Sequence, residues 1–272
     1  YVIPSNVYYV RATMELSLKN YFKIYYETMN FLKEHFIINS QSKLKTGLLT
    51  WVDDDCNENT IPNVKNLCDT LGIKCSFGLV TDRLNETLLA TLKNYQEDGF
   101  HITSHTNQHN RWYKADGGNP MFTLQECETD LIKSLVIMQQ NGFLEPKYII
   151  APGSSMNRNG IPEMVAKWAN CFVNAESKAK YNNLYSPNQF HLHRTFINFS
   201  LHNVQYYKDM IDRAIANGEW IMFGSHSYNS DEFNINDMET IMNYAIAQGI
   251  EILPLNQAFN KRKIVYEMNQ IF

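Results

Sequence analysis

From Gly47 onward the chain alternates short apolar runs with stretches of helical period, and this alternation limits the possible folds more than any other feature. Strands separated by amphipathic crossover helices pair in parallel, giving a barrel or a wound sheet. The spacing predicts strands at Gly47–Val52, Lys74–Val80, Phe100–Ser104, Lys147–Ala151, Cys171–Asn174, Arg194–Ile197, Trp220–Gly224 and Ile250–Leu253. Helices are predicted at Ile61–Leu71, Glu86–Asp98, Leu124–Asn141, Ile161–Ala169, Val204–Asn217 and Asp237–Ala247. Several of these end at a glycine, among them Gly72 and Gly218, the residue that most easily takes a left-handed stop. Residues 1–46 lack the alternation and read as an aromatic-rich N-terminal extension, with a helix around Leu16–Glu34, packed on the main domain at 47–272. The stretches Asn107–Met121 and Ser177–His193 are polar and read as long loops at strand ends, where sites in parallel α/β folds collect.

Composition removes several classes of function. The formal net charge is −4 and no long Lys/Arg run occurs, so neither nucleic acid nor an anionic membrane is the expected partner. No apolar run approaches the roughly 18–20 residues of a membrane span. The opening Tyr1-Val2-Ile3-Pro4 lacks the basic and apolar regions of a signal peptide, and a Tyr1 start fits a mature or excised piece of a larger secreted or virion protein. Cys56, Cys68, Cys75, Cys127 and Cys171 are odd in number and show no short paired spacing, so they read as buried thiols rather than a disulfide framework or a thiolate zinc site.

Two motifs carry the chemistry. Thr50-Trp51-Val52-Asp53-Asp54-Asp55-Cys56 places three carboxylates at the end of an apolar strand, and such charges repel unless a cation, water or a helix N-terminus compensates. A metal is one reading; a solvated turn capping the helix near Ile61 is the other. His105-Thr106-Asn107-Gln108-His109 puts two imidazoles four residues apart after the strand Phe100–Ser104. A helical turn there would place both rings on one face, able to share a metal. His101 falls on the same strand face as His105 and reads as structural. An Asp with two His is a mixed N/O triad that leaves positions open for water and substrate.

At these residues the sequence resembles the polysaccharide deacetylases of carbohydrate esterase family 4, the NodB-homology enzymes. Val52-Asp53-Asp54-Asp55-Cys56 is similar to their Thr-Phe-Asp-Asp-Gly motif, and His105 through His109 matches His-Thr-x-x-His in full. Leu71-Gly72-Ile73-Lys74-Cys75-Ser76-Phe77 resembles their Gly-Val-Lys-Ala-Thr-Phe segment. Ile150-Ala151-Pro152-Gly153-Ser154 resembles the Arg-Pro-Pro-Tyr-Gly loop without its Arg and Tyr, and Phe223-Gly224-Ser225-His226 resembles the late Leu-x-His motif. An ungapped alignment puts Asp53 in the place of the family's Phe; a shift to Asp53 and Asp54 as the working pair is the alternative.

The resemblance implies a distorted (β/α) barrel with its site at the carboxyl-end mouth, and removal of acetyl groups from an acetylated polysaccharide, foremost an N-acetylglucosamine-containing glycan. It implies Asp55, His105 and His109 as ligands of a divalent cation, zinc first, with Co2+, Ni2+ or Mn2+ as substitutes. Asp54 is then the base, His226 the acid, and the Pro152-Gly153-Ser154 loop a substrate or oxyanion contact. It also favours an extracellular, cell-surface or virion location. No Asp-x-x-Asp-Trp signature occurs near Asn174-Ala175-Glu176, leaving Glu176 or Asp231 to orient His226. A carbohydrate-binding or adhesin module on a weakened deacetylase scaffold is the competing class, and a hydrolase of a non-sugar amide or ester is a third.

Overall fold

The computed structural model describes residues 47–112, 120–154, 160–176, 178–184 and 189–262. The N-terminal extension and its helix at Leu16–Glu34 lie outside the described residues. Nine strands are described: β1 (Leu48–Asp54), β2 (Ser76–Leu79), β3 (His101–Ser104), β4 (Tyr148–Ile150), β5 (Cys171–Glu176), β6 (Asn182–Asn183), β7 (Leu192–Phe196), β8 (Glu219–Ser225) and β9 (Glu251–Ile252). Seven of them, β1 to β5 with β7 and β8, form a parallel wall, and β8 pairs with β1 over Leu48↔Trp220 to Asp53↔Ser225 to close a barrel. Of the two architectures the alternation allows, the fold is the (β/α) barrel that the resemblance implies, rather than an open wound sheet. Short β9 joins β1 in parallel, and β6, inside a stretch expected to be all loop, pairs antiparallel with β8.

The outer layer consists of α1 (Ile61–Leu71), α2 (Glu86–Glu97), α3 (Leu124–Gln140), α4 (Ile161–Ala166), α5 (Val204–Asn217) and α6 (Ile235–Gln248). Local signals set their ends. Asn85 caps α2, Thr123 and Glu126 form a capping box on α3, and Gly72 closes α1 in left-handed backbone (φ 66°).

Period-two alternation divides each strand between two cores. Leu49 and Trp51 of β1 pack with α1, α5 and α6 in the outer layer, through residues such as Val64, Ile211 and Ile241. Leu48 and Val52 of the same strand face the lumen with Tyr148, Ile150, Val173, Leu192, Trp220 and Met222. Leu255, Ala258 and Phe259, in a helical stretch at 255–262, fill the lumen at the amino ends of the strands. Buried indoles keep their polar ends satisfied, Trp51 Nε1 donating to Ser225 Oγ (2.8 Å) and Trp220 Nε1 to Thr50 Oγ1 (3.0 Å). All five cysteines are buried free thiols, as their spacing suggests. Among the described residues the apolar plug fills the amino end of the lumen, and the side chains that line the cavity gather at its carboxyl end.

Candidate metal centre and active site

The three consecutive aspartates point in three directions. Asp54 continues the lumen face of Leu48 and Val52, whereas Asp53 lies on the outer face beside Ser225. Gly78, in register with Asp54, keeps the space above it clear, since a Cβ there would come within 3.3 Å of Asp54 Oδ1. Asp53 accepts from Ser225 Oγ (2.6 Å), Ser227 N (2.9 Å) and Ser227 Oγ (2.7 Å). Burial pushes its carboxyl up to about 7, against the lowering effect of those hydrogen bonds. Asp55 follows the strand with φ 72°, which swings its side chain toward the two histidines.

His105 and His109 do meet, but not through the helical turn considered for them. The segment after β3 is a loop with Thr106 (φ 66°) and His109 (φ 57°) in left-handed backbone, and the two ring centroids lie 4.4 Å apart. Among the described residues five non-glycine positions have positive φ, and Asp55, Cys56, Thr106 and His109 are four of them. Each such position costs about 1–2 kcal/mol. Their concentration in the two loops that converge here marks strain retained for a site. Cys56 (φ 47°) occupies the position at which the family motif has glycine, the residue that takes this backbone at no steric cost.

The donor set fits a divalent cation. One carboxylate oxygen of Asp55 and one ring nitrogen each from His105 and His109 lie within 4.8 Å of one another. Asp55 Oδ1 and His105 Nε2 are buried with no hydrogen-bond partner, a costly state unless an ion completes it. Arg83 Nη1 approaches Asp55 Oδ1 at 3.2 Å without hydrogen-bond alignment. The carbonyl of Ile150, 3.0 Å from His105 Nδ1, can only accept, so Nδ1 carries the proton and Nε2 presents its lone pair. Burial pushes His105 down to about 4 and lowers His109 as well, so both are neutral and free to ligate at neutral pH. Tyr228 donates to Asp55 Oδ2 (2.8 Å) and holds the carboxylate with Oδ1 toward the histidines.

Arg194, on the lumen face of β7, forms a fully buried bidentate pair with Asp54, Nη1 to Oδ1 at 2.5 Å and Nη2 to Oδ2 at 2.6 Å. Burial alone would raise the Asp54 carboxyl, but the Arg194 charge, His105 and the Arg194 hydrogen bonds outweigh it and hold the group below its usual range. His226 follows β8 with Nε2 3.8 Å from Asp55 Oδ2 and Nδ1 3.5 Å from Glu232 Oε2. The carboxylate on its far nitrogen is thus Glu232, not Asp231, which turns away in an exposed Asn229 turn; the Glu176 side chain lies outside the described residues. A cavity of about 330 Å³ opens over these groups, lined by Asp54, His105, His109, Arg194, His226 and Glu232. Gly153 also lines it, Pro152 is buried, and the Ser154 side chain lies outside the described residues. His101 is structural as expected, buried with Nε2 3.2 Å from the Glu145 carbonyl.

At its carboxyl mouth the barrel thus gathers an Asp–His–His donor set able to hold a divalent cation, an ionised carboxylate and a carboxylate-backed histidine. Residues 40–166 match the polysaccharide deacetylase family model. Solved structures extend the likeness to most of the chain. They include the family 4 esterase domain of a multidomain xylanase from the hindgut metagenome of Trinervitermes trinervoides (16% identity, TM-score 0.58, 80% of this chain and 91% of that one). A family 4 acetyl xylan esterase from Clostridium thermocellum, solved with cobalt, aligns at 15% identity and TM-score 0.51 over 78% of this chain and 90% of that one. A family 4 pseudoenzyme from Bacillus anthracis aligns at 10% identity and TM-score 0.57 over 79% of this chain and 66% of that one. No curated protein matches the chain in sequence. Over residues 40–166 the chain thus matches the polysaccharide deacetylase family, and its fold is that of the family 4 carbohydrate esterases.

Proposed function

We propose that this domain is a metal-dependent hydrolase that removes N-acetyl, or O-acetyl, groups from a polysaccharide, an N-acetylglucosamine-containing glycan foremost. The observation that carries the reading is the convergence of Asp55, His105 and His109, two of their donor atoms buried and unsatisfied, beneath a cavity flanked by Asp54 and His226. A divalent cation held there, zinc first, supplies Lewis acidity to the acetyl carbonyl and to water. Asp54, kept ionised by Arg194, takes a proton from the attacking water. His226, its Nδ1 facing Glu232, gives a proton from Nε2 to the leaving nitrogen or oxygen. Gly153 at the cavity wall brings backbone close to the developing oxyanion. Working on a large glycan fits a secreted or surface location, and no described helix is long and apolar enough to cross a membrane.

The test is acetate release from chitin oligomers, peptidoglycan and acetylated xylan by metal-loaded protein beside an EDTA-treated control. Release that needs metal supports the reading. Glycan binding and full metal content without release would favour a non-catalytic module, the state named for the Bacillus anthracis neighbour. Metal content unchanged in Asp55→Ala, His105→Ala and His109→Ala would sink the ligand assignment.

A further inference from the structure

Asp53 has no part in the chemistry above, yet it is fully buried and saturated with hydrogen bonds. Its donors are Ser225 and Ser227, the residues on either side of His226. Strand register sets the first contact, because Asp53 and Ser225 are partners in the β1–β8 pairing and project to the same outer face. Ser225 is also the last residue of β8, so the sheet ladder stops one residue before His226. Beyond that point Asp53 Oδ1 holds both the Ser225 hydroxyl and the Ser227 backbone N–H, and Oδ2 holds the Ser227 hydroxyl. Trp51 Nε1 braces Ser225 (2.8 Å), and Thr60 Oγ1 lies 2.8 Å from Ser227 Oγ.

The His226 ring itself is held loosely. It lies against Phe196 and Tyr228, and its nitrogens stand 3.5 and 3.8 Å from Glu232 and Asp55, longer than well-formed hydrogen bonds. The direction in which Nε2 points is therefore set by the backbone on its two shoulders. We propose that Asp53 is a positioning residue for His226, one side chain on β1 that clamps Ser225 and Ser227 and so aims the imidazole into the cavity. The assignment rests on the reading of His226 as proton donor. It gives the three aspartates separate tasks: Asp53 aims the acid, Asp54 serves as base, and Asp55 ligates.

The experiment compares metal-loaded Asp53→Ala, Asp53→Asn, Ser227→Ala and His226→Ala chains, with the double variant Asp53→Ala/His226→Ala. Each is assayed on a chitin oligomer and on an activated aryl acetate, whose leaving group scarcely needs a proton. Asp53→Ala should lower kcat on the amide by about 10–100-fold, within the range for impairing a general acid, with KM and metal content within about 2-fold. The aryl acetate should lose less than about 3-fold, Asp53→Asn should recover most of the loss because it keeps an acceptor oxygen, and the double variant should be no worse than His226→Ala. Equal losses on both substrates, or additive losses in the double variant, would overturn the assignment. If His226→Ala itself shows no leaving-group dependence, the acid role of His226 falls; if it does and Asp53→Ala does not, only the clamp falls. A second readout needs no turnover: 15N-histidine spectra should show the His226 resonances shifted or broadened in Asp53→Ala while those of His105 and His109 stay. An unmoved His226 signal in the folded variant overturns the clamp, and Ser227→Ala and Asp53→Asn supply the same comparison should Asp53→Ala fail to fold.

Discussion

Asp54 and Arg194 depend on each other more than any other two residues of the site. Each is a charge buried to 2% exposure or less, and the two carboxylate oxygens meet the two guanidinium nitrogens in parallel. Removing one partner strands the other, so Asp54→Asn and Arg194→Met should each destabilise by roughly 3–5 kcal/mol in urea unfolding, and the double variant by clearly less than the sum. Additive losses would mean that the pair does not share its stability. Asp54→Asn should also cut acetate release by about 10²–10⁴-fold with metal content unchanged, the cost of a lost general base. Near-normal turnover would exclude Asp54 from that role. The motif aspartates and histidines were legible in the sequence because their residue types are rare at the ends of apolar strands. Arg194 was overlooked although a signal existed: a charge two residues from Leu192 on the lumen face of an apolar strand needs a buried counter-charge. Glu232 was missed for a different reason: the turn that returns it to His226 is closed by local bonds such as Asn229 N–H to the His226 carbonyl, and a polar turn carries no spacing signal for which of its carboxylates faces the ring.

At the scale of elements, the parity of β1 and β8 decides which aspartate faces the lumen. Sequence alone could not decide it, because both faces of β1 are apolar and a strand buried on both sides loses its alternating pattern. The same parity places Gly224 on the lumen face beneath Arg194. A Cβ there would stand 2.8 Å from Arg194 Nη1 and 3.1 Å from Phe196 Cδ2. The guanidinium is pinned by its carboxylate and cannot swing clear. Gly224→Ala should therefore cost about 1–3 kcal/mol by overpacking. It should also lower turnover, since displacing Arg194 moves the base, and wild-type values of both unfolding midpoint and turnover would show that Arg194 has slack. The limits of α1, α2, α3 and α5 were read to within one residue because caps and stops are local, whereas α4 ends three residues before the expected Ala169 and α6 begins two before the expected Asp237. The two-residue β6 had no apolar signature at Asn182–Asn183; it is held by its pairing with β8 and by the Asn182 side chain, which donates to the carbonyls of His193 and Trp220. The spacing of His105 and His109 was compatible with a helical turn, but spacing alone does not reveal the positive φ values through which a loop brings the rings together.

For the whole molecule, buried titratable groups set how the metal-free protein responds to acid, and they oppose one another. Burial pushes His101 and His105 down to about 4, whereas in the unfolded chain they take up protons near 6.5. Between those values the unfolded state binds more protons, so stability rises with pH, and each histidine withdraws roughly 3 kcal/mol as pH falls through the window. Asp53 acts with the other sign. Its carboxyl is raised from 3.8 to about 7, so between those values the folded state holds the proton and stability falls as pH rises, by roughly 4 kcal/mol in all. Two histidines outweigh one aspartate. The EDTA-treated protein should therefore lose a net few kcal/mol between pH 6.5 and 4. Removing the opposing group by Asp53→Asn should steepen that loss, while His101→Asn, far from the metal ligands, should flatten it. Urea midpoints of the three chains at half-unit pH steps test the order. If Asp53→Asn and wild type lose stability in parallel, Asp53 is ionised across the whole window, and the three donors around it outweigh its burial.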